Sequence, residues 1–291
     1  MATTTRSNLI VPEIMQEAVQ GEFEGMTALY GTSAAVVNGS LPQTNPNTGQ
    51  RIRGGDTVTV PYFDTLGELE EVAEGDGLTP AQLTMSDETA TVKHAGKMFE
   101  LTYWANLAAN FADPYAEAAR QLRVAANRYA DQQLLNVAAS SPLVFDLSAE
   151  TDPTISYDAV IDTATLWGDE QEEIVLMVVH SHIYADLLKL KGDGGRPLVQ
   201  APTEGQLPRF AGIPVKVSDR VSVNADVYDV QIHKRGGSAL WFQGAPRFLS
   251  DQDISADSEL GAIHVYLAPH RYKRRPGETK TGVALLRCKR K

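Results

Sequence analysis

The sequence predicts an α+β protein in which a polar N-terminal arm and a two-stranded arm precede one long helix and a mixed α/β region. Three observations carry that prediction. Residues 56–104 hold two runs of alternating character separated by an acidic insert. Tyr115 to Ala139 runs without Gly or Pro at helical spacing. After Pro153, short apolar runs alternate with capped amphipathic segments.

The 291 residues include 43% hydrophobic and 22% charged side chains, a composition that supports a folded core. Length alone allows one large domain or two of ordinary size. No apolar run approaches the roughly 20 residues of a membrane span; the longest, Ile174 to Val179, fits a buried strand. The first 20 residues lack the apolar segment of a secretory signal. One cysteine, Cys288, excludes an internal disulfide framework and fits a reducing cytoplasm. Asn38-Gly39-Ser40 then reads as a turn without sugar.

Residues 1–20 read as an arm with a short helix after Pro12, and residues 21–55 as loop, rich in Gly, Asn, Ser, Thr and Pro. Such an amount of irregular chain is unusual in a compact domain. Asp56–Phe63 alternates with period two and is expected to pair with Glu88–Ala95, continuing through Lys97–Trp104. The insert between them carries Glu68, Glu70, Glu71, Glu74, Asp76 and Asp87 without Lys or Arg. A two-stranded ribbon is marginal in water, so it needs its own domain or a neighbouring molecule to lie on.

Asp113 and Pro114 mark the cap and first turn of a helix of about 25 residues, near 38 Å long. Tyr115, Leu122, Ala126, Tyr129, Gln133 and Val137 lie on its apolar face; Arg120, Arg123, Asn127, Arg128 and Asp131 lie opposite. Ser141-Pro142 ends it. A helix follows from Ser156 to Asp169, then a buried strand at Ile174–Val179, then a helix from Ser181 to Lys191. Strands are expected near 213–217, 227–233, 238–242, 262–267 and 282–287, with Gly236-Gly237 as a hairpin turn.

The motifs of catalysis are missing. Gly192-Asp-Gly-Gly follows a helix and lacks the Lys-Ser/Thr of a phosphate loop, and no Gly-x-Ser-x-Gly elbow occurs. His180-Ser-His182 sits at a strand-to-helix junction, where capping outweighs metal binding; His264 and His270 read as structural. We therefore assign no catalytic, cofactor-binding or metal residues.

Charge is unevenly placed. Net charge is 26 − 37 = −11, yet Arg271 to Lys291 holds nine basic residues against Glu278 alone. An acidic body with a basic end suits pairing with copies of itself or approach to a polyanion. Aromatic residues, at 7%, do not interleave with Lys and Arg as a nucleic-acid platform requires.

The order of parts resembles the major capsid protein of tailed bacteriophages, the Hong Kong 97-type capsid fold. The resemblance rests on four stretches: TVTVPYFDTLGELEEVAEGDGLTPAQLTMSDETATVKHAGKMFELTYWA, ADPYAEAARQLRVAANRYADQQLL, FAGIPVKVSDRV and ALWFQGAPRFLSDQDI with IHVYLAPHRY. It implies an N-terminal arm at 1–55, an extended loop (E-loop) hairpin at 56–104, a peripheral domain at 105–150 and 246–291 with a spine helix at 113–140, and an axial domain at 151–245. It also implies pentamers and hexamers of identical copies forming an icosahedral head around double-stranded DNA, without sequence-specific binding. A portal, a separate scaffold and a decoration protein are the implied partners, and the virion, assembled in the host cytoplasm, is the implied location. No Lys lies between Leu66 and Asp87, which argues against an isopeptide cross-link from the loop tip.

The charge split suggests that Glu68, Glu70, Glu71, Glu74 and Asp76 of one copy lie over Arg271, Lys273, Arg274 and Arg275 of the next. Rival readings are an encapsulin-type nanocompartment shell, a phage tail or adaptor ring, and a soluble α/β enzyme with a lid at 56–104.

Overall fold

The computed structural model describes residues 27–38, 57–63, 69, 71–72, 80–108, 113–192, 195–199, 207–243, 246–272 and 281–291. The expected helix of residues 1–20 and most of the acidic insert lie outside these residues.

Two sheets are built around one helix. Helix α2, Pro114–Ala139, has Asp113 as its N-cap, whose carboxylate accepts the Ala116 N–H, and Pro114 in its first turn. Its 26 residues match the expected length. On one side it packs against a sheet of β1 (Ala35–Asn38), β11 (Ser238–Phe242), β13 (Ser258–Arg271), β12 (Arg247–Asp253) and β4 (Lys93–Thr102). Leu122, Leu134 and Leu135 there meet Leu240, Phe242, Ile263, Val265 and Leu267.

On its other side lies a seven-stranded sheet. Its order is β5 (Val144–Asp146), β14 (Val283–Lys289), β10 (Val227–Lys234), β6 (Ile174–Val179), β8 (Ile213–Val217) and β7 (Arg209–Phe210), with β9 (Val223–Asn224) on β10. Strand β6 shows why its apolar run has no polar face. Leu176 and Val178 join the core on α2, whereas Met177 and Val179 join the core under α3 (Tyr157–Thr165) and α4 (Ser181–Lys189). Buried between layers, α2 is enclosed on most sides past Ala130: Ala130, Asp131, Gln133, Leu134, Leu135 and Ala138 are all buried.

Several sequence expectations are corrected. Asp131, expected on the polar face, is fully buried, because it is satisfied by backbone amides. Among the described residues, strand β2 (Thr57–Phe63) pairs only with β3 (Met85–Thr91); past Val92 the chain enters β4, which pairs with β13 from Lys93↔Leu267 to Thr102↔Ser258. Tyr103 and Trp104 then open a short helix, α1 (Tyr103–Ala108), instead of ending the strand. The first α/β helix stops at Thr165, and a 3-10 turn, Gly168–Glu173, follows. Strands β1, β5 and β12 lie where no strand was expected.

Gly236-Gly237 is not a hairpin turn. It passes the chain from β10 in one sheet to β11 in the other. Gly237 touches Gly282 there so closely that a Cβ on Gly237 would lie 2.3 Å from the Gly282 carbonyl oxygen. The contact joins the two sheets where β11 and β14 begin, with Gly282 also accepting from the Lys234 amide at 2.9 Å.

Candidate assembly interface

The ribbon of β2 and β3 has seven residue pairs and no third strand among the described residues. Its base is the well-built part. Strand β3 continues through Val92 into β4, and there the far end of β13 meets it. Glu88 of β3 and His270 of β13, both buried, pair at 2.8 Å. The Lys93 ammonium donates to the Gln133 side chain of α2 at 2.6 Å, tying the ribbon base to the helix. His270 lies in a ring cluster with Trp241 and Tyr272, the centroids 5.3 to 6.2 Å apart. Burial pushes the Tyr272 phenol up from its ordinary value.

A cavity of about 530 Å³ opens beside this base, lined by Glu88, Lys93, Ser140, His270 and Arg271 among others. Arg271 ends β13, half-buried, and among the described residues its Nε and Nη1 have no hydrogen-bond partner. Desolvation lowers its pKa, and the charge of Glu88 opposes that shift.

Of the residues in the predicted charge contact, Glu71 is exposed and Arg271 stands at the cavity. Glu68, Glu70, Glu74, Asp76, Lys273, Arg274 and Arg275 lie outside the described residues. The sequence reading places Arg271 in a charge contact between copies; in the structure it lines the cavity at the ribbon base.

Apolar side chains are exposed around this frame. Leu83 and Met85 stand exposed at the far end of the ribbon. Helix α1 presents Tyr103, Trp104 and Leu107, each more than half exposed, and Ile254 at the β12–β13 turn is 95% exposed. Large exposed apolar groups on neighbouring elements mark contact surfaces. Sequence reading missed α1, because its Tyr-Trp pair follows an alternating run and was absorbed into the strand. A signal was present: Tyr103, Trp104 and Leu107 recur at i, i+1 and i+4, which fits one side of a helix.

Groups that could act chemically are held in structural roles. His180 Nδ1 accepts the His182 N–H as the N-cap of α4, and burial lowers the His180 pKa. Burial, with Asp186 and Asp229 nearby, pushes the Cys288 thiol up to about 12, so it stays protonated. Among the described residues, no three His, Cys, Asp or Glu side chains converge on a metal position, and no helix is long and apolar enough to cross a membrane.

Comparison with known proteins bears on these surfaces. A model of the phage capsid family matches residues 47–232. The major capsid protein of Staphylococcus phage phiMR11 is 27% identical over 271 residues, covering 92% of this chain and 90% of the relative. Among solved structures, the capsid of a native GTA particle matches with a TM-score of 0.72 at 14% identity, over 97% of this chain and 96% of that one. A chain of Mycobacterium phage Che8 matches with a TM-score of 0.64 at 14% identity, over 96% and 97%. The mature capsid of bacteriophage PhiM1 matches with a TM-score of 0.64 at 12% identity, over 95% and 91%.

Proposed function

The chain belongs to the phage capsid family, and from that premise we propose that it self-assembles into pentamers and hexamers forming the icosahedral head of a tailed phage around double-stranded DNA. It is a structural capsid protein and not an enzyme. The reading of 56–104 as an enzyme lid is therefore set aside, and the nanocompartment reading gains no support from the relatives.

The observation that carries the proposal is the β2–β3 ribbon. A two-stranded sheet with exposed apolar side chains near its tip is marginal alone and favourable when a neighbour covers it. In this reading the fold is of the Hong Kong 97 type, residues 56–104 are its extended loop, and α2 is its spine. The peripheral domain comprises 105–150 and 246–291, and the axial domain 151–245. Strands of both ranges share sheets: β5 and β14 sit beside β10, and β11 sits beside β13. A portal, a separate scaffold and a decoration protein are its proposed partners, with assembly in the host cytoplasm. Negative-stain microscopy of the expressed protein tests the proposal: closed shells are expected, and a persistent monomer or open tubes contradict it.

Within the shell, the acidic tip (Glu68, Glu70, Glu71, Glu74, Asp76) meets Arg271, Lys273, Arg274 and Arg275 of the adjacent copy. Exposed pairs contribute about 0–1 kcal/mol each, so their sum steers association and weakens with salt. Glu71→Lys slows assembly at low salt, and adding Arg274→Glu restores it; light scattering reads the rate. Equal rates for all three proteins contradict the contact.

A further inference from the structure

The β4–β13–β12 surface has two faces of different character. Ala95, Lys97, Ile263 and Val265 face Ala125, Ala126 and Tyr129 of α2. By the ladder register, His94, Met98, His264, Tyr266 and Leu249 share the opposite face, on which no helix packs among the described residues. Met98 and Leu249 are each about half exposed there.

Two histidines on this open face come within contact distance of each other. In the register, His94 opposes Tyr266 and Gly96 opposes His264, which makes the histidines diagonal neighbours. His94 stacks on Tyr266 with centroids 4.3 Å apart and planes within 8°, so its ring plane is fixed. His264 leans across β4 because Gly96 has no side chain: a Cβ there would lie 2.9 Å from His264 Nδ1. The result places His94 Nε2 and His264 Nδ1 3.2 Å apart on an exposed surface.

We propose that His94 and His264 form a binding site for a divalent transition metal of the zinc, nickel or copper class. Two imidazole nitrogens 3.2 Å apart, each about 2.0–2.1 Å from one ion, subtend about 100° at it, close to a tetrahedral angle. Imidazole is the ligand type such ions take, and the remaining positions are open to water on this face. Each neutral ring keeps one proton. With metal bound, these sit on His94 Nδ1 and His264 Nε2, so the N–H···N hydrogen bond is exchanged for two metal bonds by a change of tautomer, with no proton released. The charged group nearest in register is Arg247, opposite His264 on β12, and it is exposed to water. A bound ion would clip β4 to β13 just beyond the ribbon base. The proposal does not depend on shell formation.

The test is calorimetric titration of chelator-treated, unassembled full-length protein with Zn2+ at about pH 7.5. One ion per chain is expected, with that site lost in His94→Ala and in His264→Phe, which keeps an aromatic ring and removes only the nitrogens. Gly96→Ala leaves both ligands in place but displaces His264, and is expected to weaken binding by about 10- to 100-fold. His182→Gln, on α4, should leave uptake unchanged, since His182 Nδ1 is engaged by the Tyr228 hydroxyl at 3.0 Å. Circular dichroism confirms that each variant is folded. No stoichiometric uptake, or uptake kept by folded His264→Phe at wild-type affinity, or loss of the site in His182→Gln, overturns the assignment.

Discussion

Asp131 joins three parts of the chain that are distant in sequence. Its buried carboxylate accepts the amides of Ala28, Leu29 and Tyr30 at 2.7 to 3.0 Å and pairs with Arg220 at 3.3 Å. The segment entering β1 is thereby pinned to the middle of α2. Asp131→Ala removes the acceptor of three amides and the carboxylate beside a guanidinium; a loss of about 3–5 kcal/mol is expected in urea unfolding of the free subunit. Asp131→Asn keeps an acceptor and should lose less.

His233 makes a second residue-level prediction. Fully buried in β10, with neither ring nitrogen hydrogen-bonded among the described residues, it has a pKa lowered by desolvation from 6.5 to about 3. The folded imidazole refuses a proton that the unfolded one takes. Stability is therefore complete above about pH 6.5 and falls on acidification towards pH 3, by about 1 kcal/mol per pH unit from this group. His233→Leu should flatten that part of the stability profile; an unchanged slope would place the titration elsewhere. Neither residue was legible in the sequence. A charged or titratable side chain in an amphipathic pattern is assigned to solvent by default, and only tertiary packing shows which amides or walls surround it.

At the scale of elements, local chemistry was enough wherever caps and periodicity agreed. Asp113-Pro114 fixed the start of α2, and the unbroken apolar run of β6 fixed a strand buried on both faces. Pairing was harder to read. Strand β4 alternates as a hairpin partner would, yet its ladder runs with β13, some 165 residues further on, a choice made by long-range packing on α2. The Gly236-Gly237 pair carried a true signal with another meaning: the need was close backbone approach between sheets, which a turn motif imitates. Gly237→Ala should therefore destabilise by at least about 3 kcal/mol, since backbone cannot yield as a flexible side chain can. Thermal unfolding checks this, and a near-neutral Gly237→Ala would show that the sheets can part at that junction.

Across the whole molecule, several surfaces are costly for one copy and useful for many. The ribbon lacks a third strand among the described residues, α1 exposes Tyr103, Trp104 and Leu107, and Ile254 projects at a turn. Membership of the phage capsid family supplies the reason such surfaces persist. Ribbon, long helix and strand-rich end were legible as an order of parts; the contact groups were less so, because an aromatic side chain's exposure is set by where its element ends.

Hydrogen exchange followed in assembled particles and in dissociated subunits tests this most directly. Amides of 57–63, 85–91 and 103–108 should exchange at least about tenfold more slowly in particles, while those of the buried strand β6 change little. Equal exchange in both states for the ribbon and α1 would show that sister copies do not cover them, and would contradict the account.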